Sequence, residues 1–306
     1  MTSRWTRHEI VDQSGTLLVH EKQGPDTRSP AVVLLHGFTG CHLGWRRVAE
    51  ALPQARVLAP DLPGHGGSRF TDEERACRME NATPCLVRAL DRLGVSSFVL
   101  AGYSMGGRLA LHLALLAAPR LDGLVLESAS PGLASEVDRA ARRDADHALA
   151  SSIERDGVEA FLARWRETPV LASQRLLPAA LREESEAERR HNRASGLAAS
   201  LRGMGTGAQP WLGERLRDLD LPVTCVAGSG DPKFATIAGD MAGRIPGARL
   251  EILPAGHNVH LEHPEIIAGL LGRAAERGTE VGLDRPKSNI GSECGVSPST
   301  AADNTR

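Results

Sequence analysis

The sequence predicts an α/β protein built on a mostly parallel, doubly wound sheet, with a helical lid inserted between two of its strands. Short apolar runs alternate with helical stretches as far as Ser128, which is typical of parallel strands joined by crossover helices. From Pro131 to about Gly213 only charged helical stretches occur, and the alternation resumes at Leu221. The chain has 306 residues, of which 41% are hydrophobic, so it can bury a large core.

The early strands are predicted from three apolar segments. Residues 10–11 and 17–19, separated by a turn that contains glycine, predict an antiparallel hairpin at one edge of the sheet. Residues 31–35 are apolar throughout, and a strand without alternation is buried on both faces and therefore central. A short helix at residues 45–52 precedes the next strand at residues 55–60.

Two helices are expected before the following strand. Thr71 is expected to cap the first helix, because the acidic residues behind it suit the positive end of a helix. The helical pattern continues over residues 79–93, and Pro84 is expected to kink or divide it. The glycine-rich loop at residues 61–68 lacks a Lys followed by Ser or Thr, so it is not a phosphate-binding P-loop.

The central motif is Gly102-Tyr103-Ser104-Met105-Gly106, which joins an apolar strand at residues 97–100 to a helical pattern that begins directly behind the motif. In such a turn the serine adopts a strained backbone conformation. The flanking glycines are needed because a side chain would collide with the neighbouring strand and helix. The turn therefore presents the Ser104 hydroxyl at the end of the sheet, with a helix N-terminus behind it.

Asp231 and His257 complete a candidate catalytic triad. Each lies just past a predicted strand, after the apolar runs at residues 223–228 and 250–256. The order Ser, Asp, His at the carboxyl ends of strands is that of the α/β-hydrolase triad. We expect His257 to take the proton of Ser104 while Asp231 orients the imidazole. The activated oxygen could attack a carbonyl carbon or remove a proton from carbon, and residue order does not distinguish the two.

Two backbone amides are candidates for an oxyanion hole. Glycines at positions 37 and 40 follow the buried strand and let the backbone turn with its amides exposed, which favours the Phe38 amide as a donor over an ordinary turn. The Met105 amide, directly behind the serine, is the second candidate.

Arginines are numerous in the predicted lid, and most are expected to pair with acids at helical spacing, as Glu186 does with Arg190. Arg108 differs because it lies on the first turn of the helix behind Ser104, where a simple lipase would need an apolar residue. A guanidinium at this position indicates a substrate that bears carboxylates.

Composition and charge exclude several classes of function. A net charge of −2 offers no field to attract nucleic acid or an anionic membrane surface. The five cysteines lack regular spacing and indicate reduced thiols. No secretory signal or long apolar run occurs, so we expect a cytoplasmic protein that does not interact with membranes.

His257, His260 and His263 have chelating spacing, but no thiol or carboxylate cluster accompanies them, so no metal is expected.

Further motifs in the lid are specific enough to indicate a family. Ser130-Pro131-Gly132-Leu133 opens the lid, Trp165 precedes Thr168-Pro169-Val170, and residues 201–210 end in Gly-Met-Gly-Thr-Gly-Ala-Gln-Pro. With these motifs, Arg108 and the triad, the chain resembles the 2-succinyl-6-hydroxy-2,4-cyclohexadiene-1-carboxylate synthase family of menaquinone biosynthesis, which has the α/β-hydrolase fold. The resemblance covers roughly residues 30–272.

This resemblance implies a lyase without a cofactor, which eliminates pyruvate from a succinyl-bearing cyclohexene carboxylate that also carries an enolpyruvyl group. Ser104 would act as the base, and the Phe38 and Met105 amides would stabilise the developing negative charge. The resemblance assigns contacts with this small polycarboxylate to His36, Tyr103, Arg108, Arg142, Trp165 and Arg190. Arg139 and Arg143 compete with Arg142, because they lie on an adjacent face of the same predicted helix.

The predicted organisation has three parts. Residues 1–130 and 214–277 form the α/β-hydrolase core, and residues 131–213 form the lid, with helical stretches at 136–150, 153–167 and 174–201. Residues 278–306 are rich in polar and small residues, which predicts a disordered tail.

Two alternative functions stay open at this point. One is a carboxylesterase or carbon–carbon bond hydrolase that uses Ser104 as a covalent nucleophile. The other is a hydrolase-fold ligand receptor whose triad serves as a sensor. The sequence does not predict an oligomeric state.

Overall fold

A computed structural model describes residues 5–25 and 29–282 of the chain. Within these residues, nine strands form one sheet: β1 (Trp5–Asp12), β2 (Gly15–Lys22), β3 (Ala31–Leu35), β4 (Val57–Pro60), β5 (Arg69–Phe70), β6 (Phe98–Tyr103), β7 (Leu121–Glu127), β8 (Val223–Gly228) and β9 (Arg249–Leu253). The order is β1-β2-β4-β3-β6-β7-β8-β9, with β5 paired to β2. Pairing is parallel from β4 through β9 and antiparallel around β2, so the predicted mostly parallel sheet is confirmed.

Strand β3 lies at the centre of the sheet and is buried along its whole length. Its side chains alternate between the two faces: Val33 and Leu35 pack into one hydrophobic cluster, and Val32 and Leu34 into another. The uninterrupted apolar run is therefore explained by helices on both sides.

Ten α-helices accompany the sheet in the described residues: α1 (Arg46–Glu50), α2 (Glu73–Cys77), α3 (Met79–Arg92), α4 (Met105–Ala117), α5 (Glu136–Trp165), α6 (Ala179–Arg189), α7 (Ala194–Met204), α8 (Pro232–Arg244), α9 (Val259–Glu262) and α10 (Pro264–Gly282). Helices α3, α4 and α8 contribute to one hydrophobic layer, and α1 and α10 to the layer on the opposite face. This arrangement is the predicted doubly wound one.

The start of α2 and the boundary with α3 differ from the sequence prediction. Asp72, not Thr71, caps α2, because the Asp72 carboxylate accepts the backbone N–H three residues later at 2.9 Å. The two helices are divided at Arg78, which has extended backbone angles, and not at Pro84. Pro84 lies inside α3, where the carbonyl that it leaves unpaired belongs to the exposed Glu80 and is open to water.

The segment between β7 and β8, which we call the helical insertion (residues 131–213), contains α5, α6, α7 and a 3-10 helix at Pro169–Leu176. Helix α5 continues past the predicted break at residues 150–153 and is interrupted instead at Gly157, where φ is 82°. The predicted stretch at 174–201 is divided, because residues 190–193 leave the helix and Asn192 turns towards the core. The Asn192 amide accepts the Gly66 N–H at 2.9 Å and donates to the Thr39 carbonyl at 2.6 Å.

Helices α5 and α7 pack together around a small hydrophobic cluster of their own, in which Ile153 and Phe161 meet Leu197 and Leu201. Phe38, from the loop after β3, packs against this cluster. The insertion therefore rests on the loop that carries a predicted oxyanion donor.

Helix α10 extends to Gly282, later than the predicted core boundary at residue 277. The rest of the predicted tail, residues 283–306, lies outside the described residues. Among the described residues, no helix is both long and apolar enough to cross a lipid bilayer.

Candidate active site

Ser104 occupies the sharp turn between β6 and α4, with φ 51° and ψ −110°. The flanking glycines permit this turn by their lack of a side chain. A Cβ at Gly102 would lie 2.3 Å from the Gly106 carbonyl oxygen, and one at Gly106 would lie 2.2 Å from the Leu35 carbonyl oxygen. The Ser104 N–H donates to the Glu127 carbonyl of β7 at 2.8 Å, which fixes the turn to the sheet.

The three residues of the predicted triad are brought into hydrogen-bonding distance. His257 Nε2 lies 3.0 Å from Ser104 Oγ, and His257 Nδ1 lies 2.6 Å from Asp231 Oδ2. An ionised Asp231 can only accept, so Nδ1 carries the proton and Nε2 is free to accept the serine proton. They meet because β6, β8 and β9 are parallel and end at the same edge of the sheet.

Asp231 is held in the form that the arrangement requires. Burial opposes its ionisation, but the hydrogen bond and charge of His257 outweigh burial, so the pKa of Asp231 is lowered. Asp231 also caps α8 by accepting the Phe234 N–H at 3.3 Å. Ser128, which has a φ of 46°, donates its hydroxyl to the His257 carbonyl at 2.7 Å. Both ends of the Asp231–His257 pair are thus fixed by neighbours.

A cavity of about 70 Å³ lies against Ser104 and His257. This volume holds only a few water-sized groups, and Ser104 is half-buried beside it. Residues of both the sheet edge and the helical insertion form these walls, among them Phe38, Tyr103, Trp165, Glu188, Arg189 and His260.

The loop after β3 brings the predicted oxyanion donor Phe38 to this cavity. Gly37 allows the close approach, since a Cβ there would lie 2.7 Å from the Tyr103 ring. Thr39 adopts a φ of 69°, which completes the tight turn. Met105 is the first residue of α4, so its N–H has no partner within the helix. The two amides therefore stay candidates for the oxyanion hole.

Tyr103 and Trp165 both line the cavity, as expected for residues that shape a pocket. The centroids of the Tyr103 and His257 rings are 5.4 Å apart, and Trp165 packs edge-on against Phe38 with ring centroids 5.5 Å apart. Burial, followed by the nearby charge of Glu127, raises the pKa of Tyr103, so its phenol is protonated at neutral pH.

His36 lines the same cavity, but its ring is used within the protein. Its Nε2 accepts the Leu62 N–H at 3.0 Å, and its Nδ1 is 2.8 Å from the Gly37 carbonyl. Burial lowers the pKa of His36 to about 4, so the ring is neutral. Neither ring nitrogen is left for the predicted contact with substrate.

Arg108 and Arg142 do not line this cavity. Arg108 donates to the Met204 carbonyl at 2.6 Å and to Gln209 Oε1 at 3.0 Å, so it is directed at the end of the helical insertion. Arg142 donates through Nε to Asp146 at 2.9 Å. Burial lowers the pKa of Arg108 to about 10, with Asp146 opposing and Arg142 adding to the shift. Neither arginine reaches the cavity beside Ser104 in this arrangement, and contact of either with substrate stays a prediction.

Arg139 and Arg143, the alternatives to Arg142, also lie elsewhere. Both pair with Glu136 at the start of α5, at 2.6 and 2.7 Å respectively. These ion pairs are exposed and belong to the surface of the insertion.

Arg189, not Arg190, is the arginine that lines the cavity. The Arg190 side chain is 51% exposed and pairs with Glu159 at 3.4 Å and with Glu186 at 3.5 Å. Arg189 faces inward, donates to Gln174 Oε1 at 2.7 Å, and has its pKa lowered by burial against the opposing charge of Glu188. The expected Glu186–Arg190 pair was the available signal that Arg190 is a surface residue.

Sequence reasoning missed His260 as a residue of the cavity. His260 Nδ1 lies 3.0 Å from both carboxylate oxygens of the buried Glu127. His263 instead places Nε2 at 3.2 Å from the Pro254 carbonyl. The three histidines with chelating spacing therefore have three different sets of partners.

His20, His42 and Asp61 form a separate cluster whose potential ligand atoms lie within 4.8 Å of one another. The two imidazole rings are stacked at 3.3 Å and are nearly parallel, so one ion cannot lie in the planes of both rings. Asp61 already accepts the His42 N–H at 2.9 Å and the Gly67 N–H at 2.8 Å. This geometry fits a hydrogen-bonded support of the loop after β4 better than a metal site.

Comparison with known proteins adds independent information. A family model described as alpha/beta hydrolase fold matches residues 30–264. A protein of Bacillus subtilis is 40% identical over 263 residues, which is 86% of this chain and 96% of the relative. A protein of Klebsiella pneumoniae, named 2-succinyl-6-hydroxy-2,4-cyclohexadiene-1-carboxylate synthase, is 36% identical over 80% of this chain and 93% of its own length.

Solved structures give the same picture. MenH from S. aureus superposes with a TM-score of 0.81 at 30% identity, over 85% of this chain and 98% of that one. A thermophilic esterase from Thermogutta terrifontis has a TM-score of 0.77 at 25% identity, over 89% of this chain and 99% of its own.

Proposed function

The chain belongs to the 2-succinyl-6-hydroxy-2,4-cyclohexadiene-1-carboxylate synthase family of the α/β-hydrolase fold, and on this premise we propose that Ser104, His257 and Asp231 catalyse the elimination of pyruvate in menaquinone biosynthesis. The substrate is 2-succinyl-5-enolpyruvyl-6-hydroxy-3-cyclohexene-1-carboxylate. The observation that carries the catalytic assignment is the 3.0 Å contact between His257 Nε2 and Ser104 Oγ, with Asp231 on the other ring nitrogen.

The chemistry begins at the ring carbon next to the succinyl ketone. Ser104 Oγ, made basic by His257, removes the proton at this carbon, and the proton passes to Nε2. The resulting imidazolium is paired with Asp231, whose lowered pKa keeps it ionised. The electrons shift through the ring, and the enolpyruvyl group leaves. No covalent bond between Ser104 and the substrate is needed.

Loss of this proton places negative charge on the succinyl ketone oxygen. The Phe38 and Met105 amides are proposed to bind that oxygen, because both adjoin Ser104 and an amide pair of this kind stabilises developing oxyanions. The positive end of α4 adds to the same effect.

Recognition of the carboxylates is proposed to fall to Arg189. This guanidinium lines the cavity that contains Ser104, and a charge-assisted hydrogen bond from arginine suits a carboxylate. Tyr103 and Trp165 supply the flat walls against which the cyclohexene ring packs. Arg108 and Arg142 are proposed to hold the end of the insertion in place through Gln209 and Asp146.

The experiment is release of pyruvate from the purified substrate, followed by a coupled lactate dehydrogenase assay. Wild-type protein should release pyruvate, and Ser104→Ala should lower kcat by roughly a thousandfold or more, because the triad acts as a unit. Equal pyruvate release by the two proteins would contradict the proposal. Accumulation of an acyl-enzyme on Ser104 with simple esters, without pyruvate release, would support a carboxylesterase instead.

A further inference from the structure

A second histidine faces the Ser104 cavity. His260 lines the same cavity as His257, and its Nδ1 and backbone N–H are held by Glu127 at 3.0 and 3.1 Å. Because Nδ1 is used by Glu127, the other ring nitrogen, Nε2, is the one available to a ligand. Among the residues with described positions, no protein group forms a hydrogen bond with Nε2. This atom is also absent from the set of fully buried atoms without a partner, so it is accessible from the cavity side.

The surroundings of His260 hold the ring rigidly. It stacks on Trp45 with ring centroids 4.0 Å apart and meets the Tyr103 ring at 5.0 Å. Glu127 is only 1% exposed, and within the described chain His260 is its side-chain partner. A buried carboxylate is costly unless it is paired, and an apolar residue at position 260 would leave Glu127 with the backbone N–H of that residue but no side-chain partner. Glu127 and His260 thus repeat the carboxylate–imidazole arrangement of Asp231 and His257.

The proposed reaction has two ends. The names of substrate and product place the lost proton at ring carbon 2 and the lost oxygen at ring carbon 5, on opposite sides of the six-membered ring. The base and the group that assists the departing oxygen must therefore contact different parts of the substrate. Ser104 and His257 serve the first end, which leaves the second end in need of a proton donor.

We propose that His260 is the general acid of this elimination and protonates the departing enolpyruvyl oxygen through Nε2. The inference rests on the proposed function and adds a residue to it. In this step His260 starts as an imidazolium: Glu127 accepts the Nδ1 proton and orients the ring, and the proton on Nε2 is the one given to the substrate.

The step balances without a further reactant. Ser104 takes the proton from carbon 2 and His257 receives it, while the C–H electron pair forms a new ring double bond. The existing double bond shifts, and the carbon–oxygen bond at carbon 5 breaks with its electron pair on oxygen. That oxygen takes the proton from His260 Nε2, and the enol of pyruvate leaves and tautomerises in water. Solvent then reprotonates His260 and accepts the proton held by His257.

Several ionisable groups surround His260. They are Tyr103 on β6, Glu127 on β7, Glu188 and Arg189 on α6, His257 in the preceding loop and Glu262 on α9 itself. Of these groups, Glu127 forms the hydrogen bonds to His260.

The test compares two substitutions with a matched control. His260→Asn keeps an N–H near Glu127 but has nothing at the Nε2 position, and His260→Gln places an amide there that cannot transfer a proton. The control is His263→Asn, three residues further along the chain and outside the cavity. We expect both His260 variants to lower kcat for pyruvate release by about 10²- to 10³-fold, with KM within about threefold of wild type. The control should behave as wild type.

The pH profile separates proton donation from a structural role. Wild-type kcat should fall at alkaline pH as the acid loses its proton, and both His260 variants should lack this alkaline limb. Wild-type kcat in the His260 variants, a change in KM alone, or a loss of kcat that keeps the alkaline limb would each overturn the inference. Thermal unfolding identifies a misfolded variant, in which case the other variant decides. Wild-type protein that releases no pyruvate would refute the proposed function, and His260 as its acid with it.

Discussion

Arg189 and Arg190 are adjacent in sequence but lie on different surfaces of the protein. Successive residues of an α-helix are about 100° apart around the axis, so one position separates the cavity from the solvent. Arg190 pairs with Glu159 and Glu186 at the surface, whereas Arg189 turns towards Gln174 and the cavity. Two consecutive arginines do not show which of them faces the cavity. Only Glu186, four positions before Arg190, indicates that Arg190 is the one at the surface.

Replacement of Arg189 tests its assignment as the carboxylate contact. Arg189→Gln removes a charge-assisted hydrogen bond worth about 1.5–3 kcal/mol, so we expect kcat/KM for the polycarboxylate to fall about 10- to 100-fold. Steady-state pyruvate release measures this change. Arg182→Gln, on the exposed surface of α6, is the matched control and should have no effect. A larger loss in Arg190→Gln than in Arg189→Gln would reverse the assignment.

The predictability of each site residue follows from how local its signal is. Ser104, Asp231 and His257 each follow a strand with a recognisable pattern, so the sequence alone named the three side chains that the structure brings into hydrogen-bonding distance. Arg108 was equally visible, but its partners Met204 and Gln209 lie about a hundred positions away, and their approach depends on how the insertion folds. The use of both His36 ring nitrogens by the protein likewise depends on tertiary contacts.

At the scale of elements, short elements and boundaries were the hardest to predict. Strand β5 has two residues and helix α9 has four, too few for a periodic pattern. The break after α6 occurs where Asn192 forms hydrogen bonds with two loops of the core. Helix propensity does not predict such tertiary contacts. The long apolar strands and the sharp turn at residues 102–106, which we call the elbow, were predicted correctly because their glycines and apolar runs form local patterns in the sequence.

The elbow itself should tolerate no side chain at its second glycine. Gly106→Ala would place a Cβ 2.2 Å from the Leu35 carbonyl oxygen in the buried centre of the sheet. Neither atom belongs to a flexible side chain, so we expect a loss of several kcal/mol in the free energy of unfolding. Chemical denaturation monitored by circular dichroism measures it.

Gly272→Ala is the control for this substitution. Gly272 lies within helix α10, and apart from the helix's own backbone and the adjacent residues no described atom lies within 4 Å of the position that an alanine methyl group would occupy. Alanine there should therefore stabilise the protein by about 0.5–1 kcal/mol. Equal effects of the two alanines on unfolding would contradict the steric account of the elbow.

At the scale of the whole molecule, the fold and the family were both predicted from the sequence and both are confirmed. The reason is topological. In a parallel sheet all carboxyl ends lie on one edge, so residues found one by one after separate strands come together without any knowledge of the contacts between them. No such rule places the helices of the insertion relative to the sheet. Which of its side chains reach the site therefore could not be predicted with the same accuracy.

Two buried histidines and one half-buried histidine make stability depend on pH. Burial lowers the pKa of His36 to about 4, of His65 to about 3 and of His112 to about 4. The unfolded chain takes up protons near pH 6.5, whereas the folded chain does not until these lower values. Stability should therefore fall as pH drops from about 6.5 towards 4, by about 1.4 kcal/mol per pH unit for each histidine. Thermal unfolding at pH 7 and at about pH 4.5 measures the effect.

A substitution isolates one of these contributions. His112→Leu should reduce the difference between the two pH values, while His147→Leu, at an exposed position of α5, should leave it unchanged. Equal melting temperatures of the wild-type protein at both pH values would contradict this account.

Thr39, Ser104 and Ser128 are the non-glycine residues with positive φ in the described chain, and all three border the Ser104 cavity or hold its histidine. Each such conformation costs on the order of 1–3 kcal/mol, so the backbone strain at these three residues lies around the proposed catalytic site. Selection for heat resistance alone would relax these positions first, for instance by glycine at 39 or 128. The most robust descendants of this protein would then be the slowest catalysts.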